Sequence, residues 1–143
     1  MIKYDTQWDE ETGLATAKIT DTTYGEVFVG MAICGEEDLD MKSRLTGQEI
    51  ALRRASIQHL KYLKNLFYTK LITLTNFKKQ IENCKHYNPE FQIENLLNKE
   101  LKELNETVVF LRTRLKAEKE SLQNYIKAKA EIYQKIREGR KEK

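Results

Sequence analysis

The side chains in this sequence best suited to binding chemistry are arginines, and they stand in two pairs. Arg53 and Arg54 are adjacent, and Arg112 and Arg114 flank Thr113. A guanidinium is a planar fork of donors that meets two phosphate oxygens at once and stacks on flat rings. With Phe110 or Tyr68 nearby, such arginines could hold the phosphates and base of a nucleotide, and Asn105 could read a base or ribose edge. For any single arginine the plainer alternative is the commoner one, a pair with Glu106, Glu118 or a partner's acids, and Asn105 is equally well a solvated helix position.

Catalysis has little to draw on. His59 and His86 have no serine or cysteine beside them in a nucleophile motif, and no Walker loop or Rossmann glycine fingerprint is present. Cys84 and His86 are two positions apart, but no second pair completes a metal site. Glu36, Glu37, Asp38 and Asp40 crowd together without the glycine turn and closing glutamate of a calcium loop. We therefore expect no catalytic residue, no bound metal and no cofactor. Cys34 and Cys84 lack paired spacing and read as reduced thiols.

The charge is divided. Residues 1–50 carry four bases against eleven acids, and residues 51–143 carry twenty-one bases against eleven acids, beneath a net charge of only +3. An acidic head and a basic shaft could pair between subunits, which points to self-association. Along the shaft Glu118, Glu120, Glu131 and Glu138 interrupt the positive field, so tracking of a nucleic-acid backbone is a weaker reading than binding of a small ligand. No run is long and apolar enough for a membrane span and the N-terminus does not read as a signal peptide, so we expect a cytoplasmic protein with no membrane partner.

Three strands and two helices must position these residues. Ile2, Tyr4 and Thr6 alternate in a strand ending near Trp8, Glu10–Gly13 is a turn, Leu14–Thr20 is a second strand and Asp21–Gly25 a second turn. Glu26–Cys34 is nearly continuous in apolar residues, which predicts a strand covered on both faces. Thr46, with Glu49 three residues on, predicts the cap of a helix running from Gly47 to about Lys85, and Pro89 breaks the chain. From about Phe91 to Gly139 a heptad seam runs through Leu97, Leu101, Leu104, Val108, Leu111, Leu115, Glu118, Leu122, Tyr125, Lys129, Ile132 and Ile136. The first helix is the shorter, so the tail of the second beyond Leu122 should lack cover within the chain. The expected class is α+β: a three-stranded antiparallel meander with an acidic loop over 1–46, then two long antiparallel helices with coiled-coil packing over 47–143, forming an oligomer.

One stretch carries a resemblance. Val29-Gly30-Met31-Ala32-Ile33-Cys34, an acidic loop, and then Gly47-x-x-Ile50-Ala51-x-x-Arg54-Ala55 resemble the strand, loop and helix opening of the first family of phage anti-Thoeris proteins. The resemblance covers about a fifth of the chain. It implies an oligomeric, non-enzymatic sponge that sequesters a small cyclic nucleotide of the cyclic ADP-ribose type in the host cytoplasm, in pockets between subunits. It implies a ligand role for Arg54 most directly. By analogy with arginine-lined pockets, Arg53, Arg112, Arg114, Asn105 and Phe110 join it. Two other functions fit the same residues: an inhibitor that docks on a host defence nuclease, as anti-CRISPR proteins do, and a nucleic-acid-binding protein.

Overall fold

The computed structural model describes residues 1–34, 43–84 and 93–141. Three strands, β1 (Ile2–Asp9), β2 (Leu14–Asp21) and β3 (Glu26–Ile33), form an antiparallel sheet in the order β1-β2-β3, followed by two long helices, α1 (Arg44–Glu82) and α2 (Ile93–Lys141). The class is α+β, as the alternation and the apolar spacing predict. The acidic stretch, His86 and the Pro89 break lie outside the described residues.

The turns follow from their side chains. Asp9 accepts hydrogen bonds from the backbone N–H groups of Glu11 and Thr12 through Oδ1, and Asp21 accepts one from Thr23 at 3.0 Å. Each turn closes on a glycine in the left-handed region, Gly13 at φ 70° and Gly25 at φ 67°, where a Cβ would be strained.

Contacts divide the chain into two compact units, one of Met1–His59 with Lys116–Lys143 and the other of Leu60–Leu115. In the first unit the start of α1 lies on one face of the sheet. Register puts Ala17 opposite Gly30 and Ile19 opposite Phe28, so the odd positions of β2 and the even positions of β3 share that face. Ala15, Ala17, Ala51 and Ala55 are all fully buried there. The approach is close: a Cβ built on Gly30 would lie 2.0 Å from the carbonyl oxygen of Ala51 and 2.6 Å from the nitrogen of Ala55. Only glycine at this point allows backbone to rest on backbone.

The other face of β3 departs from the expectation of two-sided cover. Val27, Val29, Met31 and Ile33 are 43–70% exposed, because α1 occupies one side of the sheet and no other described segment occupies the second.

The helix start also differs from the expected one. Ser43 is the cap: its Oγ accepts the N–H of Thr46 at 3.2 Å and its carbonyl accepts that of Gly47 at 2.9 Å. Thr46 lies inside the first turn with its side chain buried, and Glu49 turns instead to Arg53. Both residues are good caps by type, and packing on the sheet claims Thr46.

Within this unit α1 and α2 run antiparallel. Arg53 reaches Ser121 and Tyr125, and residues earlier in α1 share a cavity wall with Tyr133. Cover for α2 thus extends beyond Leu122, contrary to the expectation from helix lengths. The inward positions shift as well. Leu122, Ile126, Lys129, Tyr133 and Arg137 are buried or half-buried, whereas Ile132 and Ile136 are 49% and 42% exposed. A seam of period 3.5 drifts by about 20° per heptad around a helix of period 3.6, and over this stretch the inward line follows the helix.

The second unit is helical throughout. Leu97, Val108, Leu111 and Leu115 of α2 and Leu60 of α1 are its buried apolar side chains. Arg112 lies over the ring of Tyr68, while Leu104 shares a shallow apolar hollow with Leu66 and Leu74, so here too the two segments are antiparallel.

Candidate ligand-binding site

At one end of the first unit the chain forms a half-open hollow of about 130 Å³. Trp8 forms one wall at the end of β1, and Gly47 makes room for it, since a Cβ there would come within 3.0 Å of the indole ring. The indole N–H donates to Glu10 Oε2 at 2.6 Å, which fixes the ring's edge. Ile33 and Cys34 close the side where β3 ends, and Ser43, Thr46 and Ile50 at the start of α1 form the floor. Tyr133 brings a phenol from α2. The result is a small hollow with two aromatic rings, a thiol and two hydroxyls at a helix N-terminus.

Its size limits what enters. A dry cavity of roughly 150 Å³ accepts a benzene ring, whereas whole drug-sized ligands need about 300 Å³ or more. One flat ring fits, with the rest of its molecule outside. Exposed backbone N–H groups at the start of a long helix favour negative charge, but the acid-rich first fifty residues oppose it. The hollow therefore suits a neutral ring better than a phosphate.

The buried polar chemistry lies elsewhere on the same sheet. Nε2 of His59 is 2.8 Å from Oδ2 of Asp21, both residues more than nine-tenths buried, with the Phe28 ring 5.0 Å from the imidazole. The hydrogen bond from His59 lowers the Asp21 carboxyl below its ordinary value, opposed by desolvation and helped by the Thr23 N–H, by the charge on His59 and by the N-terminal ammonium. The ionised carboxylate only accepts, so Nε2 carries the proton. This pair ties α1 to β2 across 38 positions of sequence. Among the described residues no group of three or more His, Cys, Asp and Glu side chains comes together to hold a metal ion. Neither Cys34 nor Cys84 is in a disulfide.

The six arginine-centred candidates are not gathered in the hollow. Arg53 binds Glu49 through Nε at 2.7 Å, donates to Ser121 Oγ at 2.8 Å and lies 4.9 Å from the centre of the Tyr125 ring, so its guanidinium joins the two helices. Arg54, about 100° further round α1, is exposed and donates to the carbonyl oxygen of Met31 at 2.6 Å on the outer edge of β3. Asn105, Phe110, Arg112 and Arg114 belong to the second unit. There Arg112 lies 5.1 Å from the Tyr68 ring, and Asn105, Phe110 and Arg114 are exposed. Arg112 and Arg114 stand about 160° apart around α2 and so face opposite sides of one helix. Sequence marks Thr46 only as a helix cap and neither Trp8 nor Tyr133 as a site residue; the signal for Trp8 is an aromatic ring at a strand end beside a glycine turn, and for Tyr133 a phenol beside the seam.

The chain matches no protein-family model, no curated protein and no solved structure.

Proposed function

We propose that this protein is a phage-encoded, non-enzymatic sponge that binds a small cyclic nucleotide immune signal of the cyclic ADP-ribose type in the host cytoplasm and releases it unchanged. The observation that carries this reading is the ring-sized hollow between Trp8 and Tyr133. It has stacking surfaces and hydroxyl donors for a base, and it is bordered by Gly47 and Ile50 of the strand–loop–helix pattern that resembles anti-Thoeris proteins. The hollow takes one six-membered ring, so a purine would enter by its pyrimidine edge and leave its five-membered ring outside. The remaining sugar and phosphate groups would meet arginines elsewhere on the surface, Arg54 first and, from another copy in a homo-oligomer, either Arg112 or Arg114, which face opposite sides of α2. Arg53 contributes through the helix pairing it maintains.

Sequestration needs no chemistry. The free signal falls once sites outnumber signal molecules and the dissociation constant lies below both concentrations, and slow release then matters more than fast capture.

The test is thermal. Purified protein is melted with cyclic ADP-ribose isomers and with cyclic di- and trinucleotides, then heat-denatured, and the supernatant is analysed. A ligand at a hundred times its dissociation constant stabilises the native state by about 2.7 kcal/mol, an easily read rise in melting temperature. Intact ligand recovered after heating, and no rise with Trp8→Ala, are the expected results. No shift with any of these compounds would refute the sponge.

A second reading has its own observation. Val109 and Phe110 are 52% and 60% exposed on one face of the second unit, a suitable anchor for docking on a host defence nuclease. That inhibitor would form a complex of fixed protein stoichiometry and leave the melting temperature indifferent to nucleotides. A nucleic-acid binder would instead lose affinity steeply with salt.

A further inference from the structure

We infer that the outer face of the sheet is a homodimer interface, with β3 of one copy packed face to face on the sheet of a second copy. This names a surface for the self-association proposed above and rests on that part of it alone, since no ligand enters the argument.

Strand β3 is built for two-sided burial. Its inward residues, Phe28, Gly30 and Ala32, are covered by α1, and its four outward residues are Val27, Val29, Met31 and Ile33 without a polar position among them. A strand with one face in water alternates apolar with polar. The outward positions of β1 and β2 are polar apart from Leu14, with Lys3, Asp5, Gln7 and Asp9 on one and Thr16, Lys18 and Thr20 on the other. The apolar stripe is therefore a property of β3 and not of the sheet in general. A shallow groove of about 190 Å³ crosses the same face, lined by Asp5 and Gln7 of β1, Thr16 and Lys18 of β2 and Val29 of β3, and can receive a side chain from an opposing sheet.

Charge favours a second copy as the occupant. The outward face carries Lys3 and Lys18 against Asp5 and Asp9, a balance of zero within a region that is otherwise strongly acidic. Asp5 stands opposite Lys18 in the register. A surface with both signs side by side can meet its own image, acid to base, under a two-fold axis. A nucleic acid would find no net attraction here.

Two geometric facts define the mode. Edge-to-edge pairing through β3 is obstructed because Arg54 already occupies the Met31 carbonyl on that edge, which leaves stacking of faces, with sheets about 10 Å apart. Three strands of eight residues present a face of about 27 by 14 Å, from ~3.4 Å per residue and ~4.8 Å per strand. Two such faces cover about 760 Å², short of the roughly 1,000 Å² of a stable specific interface and in the range of a weak, transient one. The dimer should accordingly be reversible and visible only at micromolar concentrations.

Sedimentation equilibrium on the full chain tests this, comparing the native protein with Val29→Lys and with the milder Val29→Thr/Met31→Thr, folding being checked by circular dichroism. Expected is a concentration-dependent dimer for the native chain, a dissociation constant raised about tenfold or more by either variant, and unchanged spectra. The threonine variant keeps strand propensity and decides the matter if the lysine variant unfolds. A native dimer that both variants leave intact would overturn the face and spare self-association. A native chain that stays monomeric at hundreds of micromolar would overturn both. Neither result bears on nucleotide binding, which the melting experiment reads separately.

Discussion

The two faces of β3 use opposite means. Where the start of α1 rests, the strand and helix narrow to Gly30, Ala32, Ala51 and Ala55 and the backbones approach closely, with Phe28 packed beside His59 further along. On the outward side the same strand keeps its bulk in Val27, Val29, Met31 and Ile33, where no described segment of the chain touches it. At Gly30 small residues make the contact with α1, and the exposed bulk of the other face is what the proposed dimer would cover. The contrast breaks most sharply at Gly30. Gly30→Val puts atoms where Ala51 and Ala55 now lie and must lift the helix, at a cost of about 3 kcal/mol, read as a lower urea midpoint. If the midpoint held, the close approach would not be what secures the helix.

The next effect concerns the polar clasp on the inner face. The Asp21 carboxyl is lowered in the folded chain from its ordinary 3.8. Its contribution to stability is therefore complete above that value and is lost as pH falls through the lower folded one. Asp21→Asn should melt below the native protein at neutral pH and converge with it in acid. Parallel melting curves down to low pH would show that the carboxylate's charge is immaterial. Arg53 comes third. It reaches α2 by a hydrogen bond to Ser121 and a cation–π contact with Tyr125 and pairs with Glu49 inside α1, each contact partly exposed, so Arg53→Ala should cost about 1 kcal/mol. Its nucleotide-induced melting shift should persist, because Arg53 acts through the helix pairing.

Much of this contrast can be read from the residues. The turn types, the apolar run of β3 and the two long periodic segments dictate the strand order and the helices, because each is a local pattern with one favoured conformation. What escapes is decided between distant elements. Ser43 and Thr46 are equal as caps until the sheet buries one of them. Asp21 and His59 look like a turn acid and a stray helix histidine until the fold brings them within 2.8 Å. Arg53 and Arg54 are adjacent in sequence, yet helix rotation sends one to α2 and the other to the edge of β3. Trp8 and Tyr133 meet one cavity from opposite ends of the chain, a pairing that periodicity cannot express.

The smallest expected effect is on the outward face, and its smallness is informative. Val29 is 43% exposed, so replacing it by threonine removes little buried surface within one chain, and both residues suit a strand. Folding stability measured in dilute solution, where copies are apart, should change by about 0.5 kcal/mol or less. At high concentration the same substitution should lower the melting temperature relative to the native protein, since only the native chain gains from association. A residue that is nearly silent alone and costly in company is one whose bulk serves a neighbour. If Val29→Thr instead cost as much in dilute solution as at high concentration, the outward valine would belong to the chain's own core, and the two faces of β3 would not differ in purpose.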